Sequence, residues 1–366
     1  MLIENKTNII DDLQSFRGVA AIVVLIHHCT FYFSNSYNFK FLSEIFFNAH
    51  AAVVAFYVLS GYVLTLSLMK NELRLKSILS FYLKRCFRIY PLLWLACIIG
   101  FFYLLIFKGV PTSDLVSDWW NKNYRDDNIS FFKVFLGFLG FGHELPLPIW
   151  SISLELVGSL LIPLFVLLLR RKILFFNLFL FLLLILTIYA KNIYFIYIFF
   201  FILGSSIVLW EEVFEKMKNI KFILYLSLFF LIFGRQLGGW NYLEYYHNSF
   251  AALIEGFAAA IVIAIIVSGR IKSKLLKSKK TILLGDISYS VYLLHLPIMA
   301  FVAEVLEYFS RINIIPSNTY ILTLFLLMIT IFLTLFLSYF TYNKIEKYGI
   351  QIGKFFSNKL IKHRSL

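Results

Sequence analysis

The sequence predicts an all-α fold, a polytopic membrane bundle of about ten transmembrane helices with both termini in the cytoplasm. Three observations predict it. First, 60% of the 366 residues are hydrophobic and only 15% are charged, with a mean hydropathy of +0.81. A water-soluble domain cannot bury that much apolar surface, so the lipid bilayer is the expected surroundings. Second, apolar stretches recur at 15–33, 47–69, 89–107, 150–169, 173–190, 193–210, 222–237, 248–268, 282–306 and 320–342, close to the roughly 20 residues that one span takes. Third, the positive charge alternates between connections. The N-terminus, 70–88, 170–172, 211–221, 270–280 and the C-terminal tail hold 25 of the 34 Lys and Arg, which places that set in the cytoplasm. The net charge of +14 is thereby a topology signal, and nucleic acid is not an expected partner.

The first apolar segment has no basic stretch before it and no small-residue cleavage site after it, so it reads as a retained helix and not as a signal peptide. Its core is "RGVAAIVVLIHH". At about 100° and 1.5 Å per residue, the eleven positions from Arg17 to His28 end within about 20° of where they began, some 16 Å further along the helix. Arg17 and His28 therefore share one wall, while His27 lies about 80° away. Ionisable groups within a span cost roughly 2.5–3.5 kcal/mol each, so they face a partner or a cavity.

The second span carries "FYVLSGYVL". Ser60 and Gly61 at its middle suit close helix packing or back-bonding, and Ser60 as a nucleophile would need a base beside it. The third opens with "FYLKRCFRIYPLLWL", which sets Arg85 and Arg88 on one helix face with Lys84 alongside. Two guanidiniums on one face suit a phosphate-rich ligand, although topology alone also asks for basic residues there. The largest connection, about 108–149, is external by this topology. It carries Asp114, Asp118, Trp119, Trp120, Asp126, Asp127 and "GHELPLPIW". Its stretch 129–141 is too short to span and lies at the interface or re-enters.

The fourth span, "PIWSISLELVGSLLIPL", enters from outside and sets Glu155 about five residues down, near the level of His28. The ninth, "LLGDISYSVYLLHLPI", rises from the cytoplasm and brings His295 to a similar height. A carboxylate orienting an imidazole at that depth permits removal of a proton from a hydroxyl. Glu255 and Glu304 read as hydrogen-bonded carboxyls without a role. The loop "GGWNYLEYYHN" (238–248) is an aromatic interfacial belt or a stacking surface for sugar rings. Cys29, Cys86 and Cys97 have no metal or disulfide spacing, and no metal site is expected.

The combination resembles acyltransferase family 3, bacterial membrane proteins that O-acylate sugars and other envelope molecules. The likeness rests on "LQSFRGVAAIVVLIHH", "FYVLSGYVL", "KRCFRIYPLLWL" with its R-x-x-R-I-Y-P core, "WSISLE", "FFFILG" ending at Gly204, and "ISYSVYLLHLPI". It spans nearly the whole chain. It implies a membrane acyltransferase domain over 13–345 and a short basic cytoplasmic tail at 346–366. It also implies an acyl-CoA donor, by default acetyl-CoA, used from the cytoplasm, and a glycan acceptor at the outer face of the bacterial cytoplasmic membrane. By position, His28 is the essential histidine with Glu155 supporting it, and Arg17, Arg85 and Arg88 hold the donor. Two departures stand out: "LVGS" follows Glu155 where the family often has a further polar residue and an aromatic pair, and Asp286 stands where a basic or larger polar residue is common. No C-terminal hydrolase-like domain of the kind some members carry is expected, so the membrane domain would handle the acceptor itself. From another class, a proton-coupled secondary transporter also fits ten helices with midplane polar groups; no pair of Gly/Pro-broken helices repeats across two halves to support it. A purely structural partner in polysaccharide export is a third reading, and nothing in the sequence speaks to oligomeric state.

Overall fold

The computed structural model describes residues 2–362 apart from positions 36, 71, 108, 111–112, 125–129, 143–144, 190–191, 238–248 and 272. The aromatic loop 238–248, Asp126, Asp127, and His143 and Glu144 of "GHELPLPIW" lie outside the described residues. The elements run α1 (Leu2–Tyr32), α2 (Tyr37–Phe46), α3 (Ala49–Met69), α4 (Leu75–Phe107), α5 (Asp118–Tyr124), α6 (Phe131–Phe138), α7 (Ile149–Arg171), α8 (Ile173–Tyr189) and α9 (Ile193–Ser206). They continue with α10 (Glu211–Lys216), α11 (Ile220–Leu237), α12 (Ser249–Val267), α13 (Lys279–Asp286), α14 (Ser288–Arg311), α15 (Thr319–Thr341) and α16 (Lys347–Lys362). Among the described residues the only extended pairing is a single antiparallel bridge between Phe33 and Val116.

Seven helical segments, drawn from α1, α2–α3, α4, α7, α12, α14 and α15–α16, are long and apolar enough to cross a membrane. The expected spans at 173–190, 193–210 and 222–237 appear as the shorter helices α8, α9 and α11. The expected ninth span is not continuous. It breaks at Ile287 into α13 and α14, so Asp286 ends a short helix instead of opening a long one. The expected tail at 346–366 is largely helical. A π-helical segment, Tyr342–Glu346, joins α15 to α16, and Gly349 and Gly353 bring α16 against Phe87 of α4.

Burial ranks the helices. In α14, 89% of the apolar window is buried, against 33% for the α15–α16 segment, so α14 is the axis and α15 faces outward. α3 is the second axis, packed on α1, α7, α9 and α12. Its contact with α9 is reciprocal: a Cβ at Gly61 would run into the Phe201 carbonyl, and one at Gly204 into the Val58 carbonyl. Only glycine lets two backbones approach this closely, which explains both the "SG" of the second span and the "ILG" of the sixth. A second clasp joins α1 to α13. A Cβ at Gly18 would strike the Gly285 backbone, and one at Gly285 would strike the Gln14 carbonyl.

α6 covers part of the 129–141 stretch. It buries Val134 and Gly137 and exposes Phe131, Phe132 and Phe135, the one-sided pattern of a helix lying in an interface. α5 is tied over the end of α1. Ser117 Oγ donates to the Phe31 carbonyl at 2.6 Å, and the Ser117 amide to the Tyr32 carbonyl at 2.9 Å.

Candidate active site

Four helices, α1, α3, α7 and α14, line a cavity. Helical periodicity selects its lining. Val53, Phe56, Tyr57 and Ser60 make one stripe of α3, and Ser151, Ile152 and Glu155 one stripe of α7. Ser288, Tyr289 and Tyr292 come from α14, and Arg17 from α1.

Of the expected arginines, Arg17 lines the cavity. Arg85 donates through Nη2 to Glu155 Oε1 at 2.5 Å and through Nε to Ser159 Oγ at 2.6 Å. Arg17 lies within electrostatic reach of Arg85, Arg88, Glu155 and Glu346. Glu346, on the π-helical segment, accepts from Ser290 Oγ and is 2% exposed. Arg17 and Glu155 line the cavity, and Glu155 is bonded to Arg85, so an anion entering there could replace a carboxylate as an arginine's partner.

One expectation changes here. Glu155 was expected at the level of His28, and the structure instead pairs it with Arg85. Ser151 meets Tyr292 at 2.6 Å. Tyr292 is three residues below His295, and Glu155 is four residues below Ser151. Glu155 thus sits roughly two helical turns beneath the histidines. Counting from a helix start gives depth only if the start is at the surface, and α7 begins already buried, with Ile149 and Ser151 both enclosed.

His28 instead meets His295. Its Nδ1 lies 2.9 Å from His295 Nε2, and the two rings stack with centroids 5.0 Å apart. The chain of partners fixes the protons. His295 Nδ1 is 3.2 Å from the Val291 carbonyl, which can only accept, so that nitrogen carries the hydrogen. His295 Nε2 is then the acceptor, and His28 Nδ1 donates to it. The lone pair of His28 is left on Nε2. Trp119 of α5 stacks on the His28 ring at 5.6 Å, so the large connection expected to be external covers this pair. His27 points elsewhere, donating through Nδ1 to the Phe47 carbonyl at 3.1 Å.

A second polar cluster is one that sequence reasoning missed. His50 Nδ1 bonds to Glu255, and its Nε2 lies 3.0 Å from the Tyr197 hydroxyl. Asn48 Nδ2 donates to Glu255 Oε1 at 2.8 Å, and Arg235 Nε reaches the same oxygen at 3.3 Å. His50, Arg235 and Glu255 are at most 1% exposed. These buried charges tie α3, α11 and α12 together. His50 and Arg235 sit at the ends of predicted spans, where the sequence pattern assigns them no partner. The available signal was that both fall near the same membrane face as Glu255.

A helical bundle of membrane-length segments around a polar cavity defines a multi-pass membrane protein. Among known families, the model of the acyltransferase domain Acyl_transf_3 matches residues 10–343. The chain therefore belongs to acyltransferase family 3, and it is a membrane acyltransferase. No curated protein and no solved structure matches it.

Proposed function

We propose that the protein is an O-acetyltransferase of the bacterial cytoplasmic membrane, moving an acetyl group from acetyl-CoA to a hydroxyl of an envelope glycan on the outer side. The observation that carries this reading is the His28–His295 pair, which leaves one basic imidazole nitrogen next to Tyr292 of a cavity that Arg17 also lines. Arg17, Arg85 and Arg88 bind the donor phosphates, by bidentate contacts where a guanidinium can be released from its carboxylate. Glu155 holds Arg85 until the donor arrives. The stripe from Arg17 to His28 is about 16 Å long, long enough for an extended thioester arm to run from the arginines to the histidines. His28 Nε2 takes the proton of the acceptor hydroxyl, and His295 keeps His28 in the tautomer that can do so. Placing the arginine end in the cytoplasm follows from the distribution of Lys and Arg along the chain. Sugar hydroxyls are the acceptor chemistry that a neutral imidazole base suits.

The test is acyl transfer by membranes carrying the wild type or His28→Ala, supplied with labelled acetyl-CoA and host envelope glycan. Label entering an alkali-labile ester with the wild type alone is the expected result. Equal labelling by both would dismiss His28 as the base. Labelling by neither, with folded protein and several acyl-CoA donors, would overturn the acyltransfer chemistry proposed here.

A further inference from the structure

Acyl transfer from a thioester to a hydroxyl places negative charge on the acyl oxygen, and a donor aimed at that oxygen is commonly the largest single contribution to such catalysis. The cavity lining contains six hydroxyls. Four of them donate to backbone carbonyls: Tyr57 to Ser151 at 3.1 Å, Ser151 to Pro148 at 2.7 Å, Tyr289 to Ile89 at 2.8 Å and Ser288 to Gly285 at 2.7 Å. Turning any of these toward a substrate strips a carbonyl of its partner. Ser60 lies on α3 almost a turn beyond Tyr57, on the side of Glu155 and Arg17 and away from the histidines.

Tyr292 differs. Its hydroxyl lies 2.6 Å from Ser151 Oγ. Ser151 has a single hydroxyl hydrogen and spends it on Pro148, so Tyr292 is the donor in this contact. When Tyr292 turns away, Ser151 keeps its own bond and no backbone group is orphaned. Among the five hydroxyls bonded in this lining, this donor is the least costly to redirect. Its position fits as well: the ring lines the cavity, stands edge-on to Phe56 at 5.6 Å and lies 5.9 Å from the His295 ring. Tyr292 thus joins the cavity to the histidine pair.

We propose that the Tyr292 hydroxyl leaves Ser151 and donates to the acyl carbonyl oxygen during transfer. This rests on the acyl-transfer reading above. The acceptor oxygen attacks the acyl carbon, forming the new C–O bond while its proton passes to His28 Nε2. The carbonyl π electrons move onto oxygen, which accepts the Tyr292 O–H bond. On collapse the C–S bond breaks, the sulfur leaves with the electron pair, and the proton on His28 Nε2 goes to it. Thioester and alcohol become ester and thiol, and Tyr292 keeps its proton throughout.

The experiment compares wild type, His28→Ala and Tyr292→Phe in membrane vesicles, measuring initial rates of label transfer against acetyl-CoA concentration. A parallel set carries fluorinated tyrosines at position 292, near-isosteric replacements whose phenols are more acidic. The expected result is a fall in kcat of about 10²–10³-fold for Tyr292→Phe, with KM for acetyl-CoA within about twofold, and rates that shift stepwise with phenol acidity. A kcat for Tyr292→Phe within twofold of wild type would overturn the proposal. So would a large loss in Tyr292→Phe with no response to fluorination, since that marks a packing role. Wild-type activity that is lost in His28→Ala and kept in Tyr292→Phe removes Tyr292 alone. No transfer by the wild type from any of several acyl-CoA donors removes the acyl-transfer reading and this proposal with it.

Discussion

Replacing His295 by leucine or by glutamine separates what its ring fills from what its nitrogen accepts. The 2.9 Å contact to His28 Nδ1 is the bond at issue, and His295 is 1% exposed, so water does not readily take its place. Leucine fills much of the slot and removes the imidazole acceptor, leaving the His28 ring only the Val24 carbonyl that it also faces. Losing one hydrogen bond of this kind costs about 0.5–1.5 kcal/mol. If that cost falls on the catalytic arrangement, kcat drops roughly 2- to 12-fold at about 1.4 kcal/mol per factor of ten. Glutamine presents its Oε1 near the position of the imidazole Nε2, so it accepts the same hydrogen and keeps the lone pair of His28 on Nε2. The assay is label transfer in membranes at saturating acetyl-CoA, with thermal unfolding of the purified proteins to confirm equal folding. His295→Gln is expected to retain most of the activity that His295→Leu loses. Wild-type kcat in His295→Leu, or equal loss in both variants, would refute the tautomer argument.

Three further outcomes follow from the same structure. Arg85→Ala combined with Arg88→Ala is expected to weaken acetyl-CoA binding at least tenfold by calorimetry on purified protein, and unchanged affinity would remove both residues from the donor site. Glu255→Ala leaves Arg235 and His50 buried without their carboxylate and is expected to destabilise the fold by about 3–5 kcal/mol, read as poor accumulation and a markedly lower Tm. Gly204→Ala drives a methyl group into the Val58 carbonyl; overpacking of this kind costs about 1–3 kcal/mol, read as a Tm drop with little change in KM.

Periodicity made Arg17 and His28 legible as one wall, because both lie on a single helix and its geometry is fixed in advance. Motif reading likewise brought out Gly61 and Gly204, though what they do, two backbones meeting, needed the partner helix. The placement of Glu155 was less legible. Its depth was reckoned along α7 alone, while its partner depends on how far the Arg85 side chain reaches across from α4. His50 and Arg235 stayed hidden because they lie on different spans from Glu255, and only packing brings the three together. The break at Ile287 was hidden too, since the apolar pattern runs through it.

The two glycine clasps have different consequences, and that between α1 and α13 sets a length. Gly18 and Gly285 touch, and ten residues further along each chain stand His28 and His295, which also touch. The α1 arm is one continuous helix, and the other arm passes from α13 into α14 at Ile287, so the two equal counts bring their histidines level only with that break held as it is. The arrangement works as a ruler read twice. Adding one residue to either arm would lift its histidine by about 1.5 Å and swing it through about 100°, out of reach of the other, while adding one to both arms would turn the two rings away together. Between these marks the chain is held to a count as well as to a composition, whereas the connections between helices are free of that demand.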